Sequence, residues 1–484
     1  MERSTHTDVA PRAASVPLCV DLDGTLVKSD TLVDTLLVLI RTRPELLLKL
    51  PGYLLQGKAA LKAFVTESIP LDVVHLPYNH ALLLFLQKMF REGRAIYLVT
   101  GADERLARRV ADHLGIFRGV LGSDGVTNLT GRNKLKCLRD QVGCDGFDYV
   151  GNSRTDLSLL AHAVGPMVAN PSLGLRLGLR AQHIRPSQEF LERSHPLQSL
   201  VKAMRLHQWA KNLLIFVPLL LSHALTASKL LTALAAFFCF SLAASATYIV
   251  NDLLDIEADR RHLRKRRRPF ASGDLSVLTG FCAVAAFLAV ALLGARLFTV
   301  GFYGWLLLYL ISTLAYSLYL KRIELVDVLV LSGLYTLRLQ AGSAATQTPI
   351  SHWLAGFAIF LFLSLAIVKR FAELENQRAS GSQPKNGRGY LVADIEQLRS
   401  FGTSSAYAAV VIFAIYISGR DVTALYHKPR LLWLIVPMMI LWLSRVWLLA
   451  SRGELNEDPV IFALTDRMSL LIGVAVACIA LLAL

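Results

Sequence analysis

From residue 213 to its C-terminus the chain is a succession of apolar runs separated by short polar links. Without water, a backbone satisfies its own N–H and C=O groups only as helices or closed barrels, and runs of this length read as spanning helices. Nine runs are legible: 213–225, 230–250, 277–293, 297–318, 326–344, 353–368, 405–418, 431–449 and 470–484, of which the first and seventh are short. Residues before about 196 have the mixed composition of a soluble domain, and 193–199 breaks the pattern between the halves. The expected layout is a disordered N-terminus over 1–16, a soluble domain over 17–195 and a polytopic membrane domain over 196–484. No apolar core opens the chain in residues 1–15, so the soluble part is expected to stay cytoplasmic.

Charge orients the second half. Lys and Arg total 51 against 36 Asp and Glu, a net charge of +15. The cations cluster before run one, between runs two and three, at Lys321–Arg322 and between runs six and seven, which are alternate loops. The opposite loops, such as 226–228 and 345–352, are nearly uncharged; 420–430, with Arg420, Lys428 and Arg430, is the exception. The bias places the N-terminus, the loop after run two and the large 369–401 loop in the cytoplasm of a bacterial-type inner membrane. Such a balance suits anionic membrane lipids and phosphate substrates. Basic loops that abut spans argue against nucleic acid as a partner. The six cysteines (19, 137, 144, 239, 282, 478) show no CxxC or metal spacing and read as small apolar residues.

One loop carries a denser pattern. Asn251, Asp252, Asp255 and Asp259 precede a basic run of Arg260, Arg261, Arg264, Lys265, Arg266, Arg267 and Arg268. If the apolar helix continues, Asn251, Asp255 and Asp259 fall at i, i+4 and i+8 on one face, with Asp252 flanking them. Carboxylates stacked in this way call for a cation. Mg²⁺ takes one or two carboxylates and completes its shell with water and substrate phosphates. The cations downstream suit the remaining phosphate charge. Positive-inside topology alone accounts for the basic run but not for the acidic spacing.

The first half has its own acidic pattern. An apolar strand over 18–20 runs into DLDGTL with Asp21 and Asp23; a second over 95–99 ends at Thr100 and Gly101; a third over 147–150 ends in GNSRTD with Asn152 and Asp156. Lys134 follows NLTG in a helix-like segment. Strand C-termini are where open α/β sheets bind ligands. This ordered set resembles the haloacid dehalogenase (HAD) superfamily of phosphatases. The resemblance implies an α/β, Rossmannoid soluble domain with a mainly helical cap over about 28–90. It also implies Asp21 as nucleophile, Asp23 as general acid and base, Thr100, Gly101 and Lys134 around the phosphoryl oxygens, and Mg²⁺ held by Asp21, Asp23, Asn152 and Asp156. The fourth motif begins Gly-Asn here where the superfamily has Gly-Asp.

The loop's form, N-D-x-x-D-x-x-x-D followed by Lys265, Arg268, Pro269, Ser272 and Gly273, resembles the first aspartate-rich motif of the UbiA superfamily of membrane prenyltransferases. That resemblance implies an all-α, nine-helix transmembrane domain that grips a diphosphate through Mg²⁺ on Asn251, Asp255 and Asp259, with Asp252 alongside. Most members carry a second D-x-x-x-D; this chain has KRFAELENQ, with Lys369, Arg370 and Glu373. RLHQWAKNLL (Lys211), the segment from Tyr316 through Lys321 and Arg338 to Ala345, and KRFAEL resemble the decaprenyl-phosphate phosphoribosyltransferase branch. That branch moves 5-phosphoribosyl from phosphoribosyl pyrophosphate (PRPP) to a polyprenyl phosphate. Lys211, Tyr316, Lys321, Arg338, Lys369, Arg370 and Glu373 are the candidate substrate contacts, with Lys211 beside Trp209 and Tyr316 reading equally well as interfacial anchors. Asp327, Arg338 and Gln340 lie inside an apolar run, where a charge faces a partner or a cavity. Asp458 and Asp466 fall in the last cytoplasmic loop, with Asp466–Arg467 read as a surface pair.

Three functions compete on these residues. The first is phosphoribosyl transfer to a lipid phosphate, with the HAD half removing the product's 5-phosphate. The second is prenyl transfer from a polyprenyl diphosphate to an aromatic or other small acceptor. The third is a non-catalytic scaffold or carrier.

Overall fold

Leu18, Cys19 and Val20 are buried and apolar, and they form the central strand of a six-stranded sheet. The computed structural model describes residues 16–142, 146–380, 389–455 and 459–484; residues 1–15, Cys144 and Asp458 of the sequence reading lie outside them. The strands are β1 (Leu18–Val20), β2 (Ile96–Asp103), β3 (Gly119–Ser123), β4 (Asp148–Gly151), β5 (Pro166–Ala169) and β6 (Gln188–Phe190). Their order is β3-β2-β1-β4-β5-β6, and every pairing is parallel. Cys19 lies beside Tyr97 on one flank and Tyr149 on the other. Two apolar clusters cover the faces, one around Val20, Leu98 and Val150, the other around Cys19, Val99 and Tyr149. Burial on both faces is what near-continuous apolar strands require. The order reverses between β1 and β4, so a crevice opens beyond the end of β1, where Asp21 stands.

Helices Thr31–Thr42, Leu50–Gln56, Lys58–Ser68 and His80–Arg91 fill the interval between β1 and β2. Asp30 and Asn79 start the first and last of these, their side chains accepting from Val33 N and Leu82 N.

The chain divides into two compact units, Met1–Met204 with Ile249–Cys282, and Arg205–Tyr248 with Ala283–Leu484. A single boundary near residue 196 does not describe this division, because the acidic and basic loop belongs with the N-terminal sheet.

Among the described residues six helices are long and apolar enough to cross a membrane: Ala227–Leu254, Val277–Ala295, Val300–Leu318, His352–Ala379, Val392–Ser418 and Pro429–Ser451. Leu206–Leu221 and Arg467–Ala483 are shorter apolar helices, and Val326–Thr346, which buries Asp327 and Arg338, is not among the six. In the second unit one core gathers Val368, Phe371 and Trp447, and another Phe240, Phe302 and Tyr309. Polar groups there are paired: Trp447 Nε1 donates to Ser364 Oγ (3.1 Å), which donates to the Gly402 carbonyl (2.8 Å). Asp466 accepts from Ser469 N at the head of the last helix and pairs with Arg445 (2.6 Å) rather than with its neighbour Arg467. The described cysteines are all free.

Candidate functional site

The first unit holds a cavity of about 650 Å³ beyond the end of β1. Asp21, Asp23, Gly101, Lys134, Asn152 and Asp156 line it. Lys134 Nζ lies 2.7 Å from Asp21 Oδ1 and 3.6 Å from Asp156 Oδ1, and it donates to the Tyr149 hydroxyl (2.8 Å). Tyr149 in turn donates to Asp156 (2.9 Å). Four groups from β1, β4, the Arg132–Val142 helix and the turn after β4 thus form one buried network. Gly24, in the left-handed region at φ +74°, leaves its side-chain space to the Asn152 amide. Thr100 does not line the cavity; its buried hydroxyl accepts from Ala102 N (3.0 Å).

Electrostatics separates the two aspartates. Burial pushes the Asp21 carboxyl up to about 6, against the pull of Lys134. Burial, then the neighbouring Asp30, pushes Asp23 up to about 8. Burial also opposes the charge on Lys134, but Asp21 and Asp156 outweigh it and hold the ammonium above its ordinary value. A carboxylate beside a cation, next to a carboxyl protonated at neutral pH, is the pairing that nucleophilic attack followed by leaving-group protonation needs. The sequence reading missed Lys62, whose Nζ donates to the Gly101 carbonyl and to Asn128 (2.8 Å) on the same cavity. A lysine in the Lys58–Ser68 helix stands in no motif.

The acidic loop is built differently from the continuous helix expected. The Ala227–Leu254 helix stops, Asp255 takes φ −97° and ψ 10°, and a short helix Ile256–Arg261 follows. Two i→i−4 bonds survive the break, Asp255 N to Asn251 O (3.0 Å) and Asp259 N to Asp255 O (2.8 Å), so the acidic residues stay on successive turns. Arg268 Nη1 bridges Asp252 (3.0 Å) and Asp259 (2.6 Å). Burial raises the Asp259 carboxyl even against Arg268. Arg41, from the Thr31–Thr42 helix, pairs with Asp255 (3.0 Å) and donates to Leu254 O (3.3 Å). Lys265 is exposed. Among the described residues no group of three or more His, Cys, Asp or Glu converges as a metal set. Oxygen donors that already draw guanidinium groups between them nonetheless suit a hard cation.

What fixes this loop to the N-terminal sheet domain is a set of ion pairs. Arg260 Nη1 meets Asp34 at 2.8 Å, and its other donors reach Ser29 Oγ (3.0 Å) and the Ala271 carbonyl (3.1 Å). Lys28 pairs with Asp274 (3.6 Å) and Arg261 with Asp72 (2.7 Å). Gly273 sits at φ +73°, and a side chain there would come within 2.7 Å of Lys28 Cβ. Arg41, Asp34 and Arg260 gave no sequence signal, because their partners are remote in the chain and the basic run reads as topology.

In the second unit Arg370 is nearly fully buried. Its Nε meets Asp327 (2.6 Å), its Nη1 meets both Glu373 oxygens (3.0 and 2.9 Å), and its Nη2 donates to the Tyr316 hydroxyl (3.1 Å). Tyr390 also donates to Asp327. Arg338 Nε donates to Asn212 (2.8 Å) and its Nη2 to Tyr309 (3.4 Å), with Tyr309, Tyr335 and Phe240 rings around the guanidinium. Lys211 lies 5.6 Å from the Tyr335 ring centre. The unit therefore brings Tyr316, Arg370 and Glu373 into one cluster and joins Lys211 and Arg338 through Tyr335. Lys321 and Lys369 are half-buried, on the Leu320–Arg322 turn and the His352–Ser380 helix.

Comparison with known proteins adds to this geometry. A model of the UbiA prenyltransferase family matches residues 213–473. The chain is 38% identical over 464 residues to a Sinorhizobium fredii protein called uncharacterized protein y4nM, covering 96% of this chain and 90% of that one. It is 32% identical over 284 residues to the decaprenyl-phosphate phosphoribosyltransferase of Mycobacterium tuberculosis, covering 57% of this chain and 91% of the other. Among solved structures it resembles a UbiA homolog from Archaeoglobus fulgidus bound to GPP and Mg²⁺, at 18% identity and a TM-score of 0.45, covering 58% of this chain and 96% of that one. With the match over residues 213–473 and six helices fit to cross a membrane, the chain belongs to the UbiA prenyltransferase family and is an integral membrane transferase.

Proposed function

We propose that the chain transfers 5-phosphoribosyl from PRPP to a polyprenyl phosphate of decaprenyl type, releasing pyrophosphate, and that its N-terminal half is a HAD-type phosphomonoester hydrolase. The observation that carries the transfer reading is the state of Glu373. Where a second acidic motif stands in most relatives, this chain offers Lys369 and Arg370, and Arg370 holds both oxygens of Glu373. A second carboxylate-based grip on a prenyl diphosphate is thereby given up, and the half-buried Lys369 beside it suits a phosphate-bearing acceptor. The similarity to the mycobacterial phosphoribosyltransferase supports the same reading.

In this reading Asn251, Asp252, Asp255 and Asp259 face the donor's diphosphate, with Lys265 and Arg268 beside it. The bond from the anomeric carbon to pyrophosphate breaks, and a lipid phosphate oxygen bonds to that carbon. The phosphate monoester is already ionised near neutral pH, so it needs no general base. Lys211, Tyr316, Lys321 and Arg338 are assigned to the phosphates of the two substrates. In the N-terminal half Asp21 attacks phosphorus and Asp23 protonates the leaving oxygen. Water then attacks the aspartyl-phosphate with Asp23 taking its proton. Lys134 and the Gly101 backbone border the phosphoryl group, and Thr100, behind the cavity wall, acts through its hydrogen bond to Ala102 N. Magnesium, held by Asp21, the Asp23 carbonyl, Asn152 and Asp156 in one site and by Asn251, Asp255 and Asp259 in the other, would neutralise phosphate charge. The transferred lipid product carries a phosphomonoester, which the hydrolase could remove. Nine membrane helices and a cytoplasmic N-terminal half in a bacterial-type inner membrane complete the proposal.

Membranes containing the protein, given labelled PRPP or labelled prenyl diphosphate, decide the transfer. Lipid-extractable label is expected from PRPP with added polyprenyl phosphate. Label incorporated only from the prenyl diphosphate would overturn the reading in favour of prenyl transfer, and none from either would favour a scaffold.

A further inference from the structure

The lining of the cavity beyond β1 is of two kinds. Asp21, Asp23, Lys134 and Asp156 make the charged end described above. Ile256, Phe270, Leu275, Val277 and Leu278 add an apolar part, with Lys28, Arg193 and Ser276 also on the lining. These residues all belong to the first compact unit, but the apolar ones come from far along the chain, from the stretch after the Ala227–Leu254 helix and the first turn of the Val277–Ala295 helix. Ile256, Phe270 and Leu275 are almost completely buried, so they form a wall, while Leu278 is 73% exposed at the lip. The wall is held in place by the Arg260–Asp34 and Lys28–Asp274 pairs and by the close approach of Gly273 to Lys28.

Val277 and Leu278 open a helix of 19 residues, about 28 Å at 1.5 Å per residue, close to the thickness of a bilayer's hydrocarbon core. The lip therefore stands where such a helix meets the membrane surface. A soluble sugar phosphate would use the charged end and leave the apolar wall wet. A molecule with a phosphomonoester at one end and a lipid close behind it would use both. The volume falls within the range of pockets that enclose small ligands.

We propose that this cavity binds a lipid-linked phosphomonoester, with its phosphate at Asp21 and the start of its lipid along Leu275 and Leu278. The proposal rests on the phosphatase reading of the N-terminal half and is independent of what the transferase makes. Chemically it adds no step: the P–O bond to the lipid-bearing group breaks, Asp21 takes the phosphoryl group, and the proton on Asp23 goes to the departing oxygen.

Full-length protein in lipid nanodiscs, given ethyl, butyl, hexyl and octyl phosphate, tests the assignment, with Asp21→Asn as the background. kcat/KM is expected to rise with chain length by up to about fourfold per methylene that reaches the wall. Leu278→Gln is expected to flatten the rise, read as the octyl-to-ethyl ratio within one preparation, so that loss of active protein cancels. An Asp21-dependent rate that is flat across the series, or a ratio unchanged by Leu278→Gln, overturns the lipid assignment alone. No Asp21-dependent hydrolysis of any probe overturns the phosphatase reading and this inference with it.

Discussion

Arg260 and Asp34 lie 226 residues apart in the chain and 2.8 Å apart in space, with both side chains almost entirely out of water. Removing one partner of such a pair leaves a buried charge uncompensated, at a cost of about 3–5 kcal/mol. Arg260→Ala is expected to lower the unfolding midpoint of the first unit and to open the loop after Ile256 to protease. Replacing both residues with Leu is expected to recover much of the loss. Thermal unfolding and limited proteolysis of the three proteins measure this; equal damage from the single and double changes would contradict it.

Arg41 gives the N-terminal half a hand on the acidic motif, through its 3.0 Å pair with Asp255. A charge-assisted hydrogen bond of about 1.5 kcal/mol corresponds to roughly a tenfold change. Arg41→Ala is expected to slow lipid labelling from PRPP by about that factor. Hydrolysis dependent on Asp21, followed in the same preparation, reports that the first unit is still folded.

The separated aspartates predict a bell-shaped pH profile for phosphomonoester hydrolysis. Asp21 must be ionised to attack, so activity falls as pH drops through about 6. Asp23 must be protonated to act as acid, so activity falls as pH rises through about 8. Asp23→Asn should depress the maximum and remove the alkaline limb. A limb near 8 that persists in that variant would assign it to another group.

Arg370 and Asp327 form an ion pair of the second unit with both side chains almost wholly out of water, at 2.6 Å. Arg370→Ala is expected to reduce the yield of monodisperse protein in detergent, because Asp327 is left alone. Arg370→Leu with Asp327→Leu is expected to restore the yield and still fail to label lipid. Size exclusion and the PRPP assay on the pair of variants separate a folding role from a substrate role.

Much of the first unit's layout could be read from residue order. The strand over 18–20 and the acidic turn after it stand where the apolar pattern put them, and Lys134 reaches Asp21 across 113 positions. Motif spacing carries that information because each group sits at the end of an adjacent parallel strand or at the head of its helix. The fate of the 249–282 loop was not legible. Its basic residues satisfy a membrane-topology rule equally well whether they face water or Asp34, and pairing over such a separation leaves no periodic trace. The helix break at Asp255 was hidden for a similar reason, since the i, i+4 spacing survives it. Asp466 looked paired with its neighbour, yet its partner is Arg445 on another helix.

The wall formed by Ile256, Phe270 and Leu275 also limits how this protein can be divided or recombined. A fragment ending at Met204 would retain Asp21, Asp23, Lys134 and Asp156 and lose one side of their cavity. Grafting a foreign soluble half onto the membrane helices would leave the loop's arginines facing a surface without Asp34 or Asp72. Residues 249–282 pack with the soluble half in one compact unit, so a working chimera has to exchange them along with it.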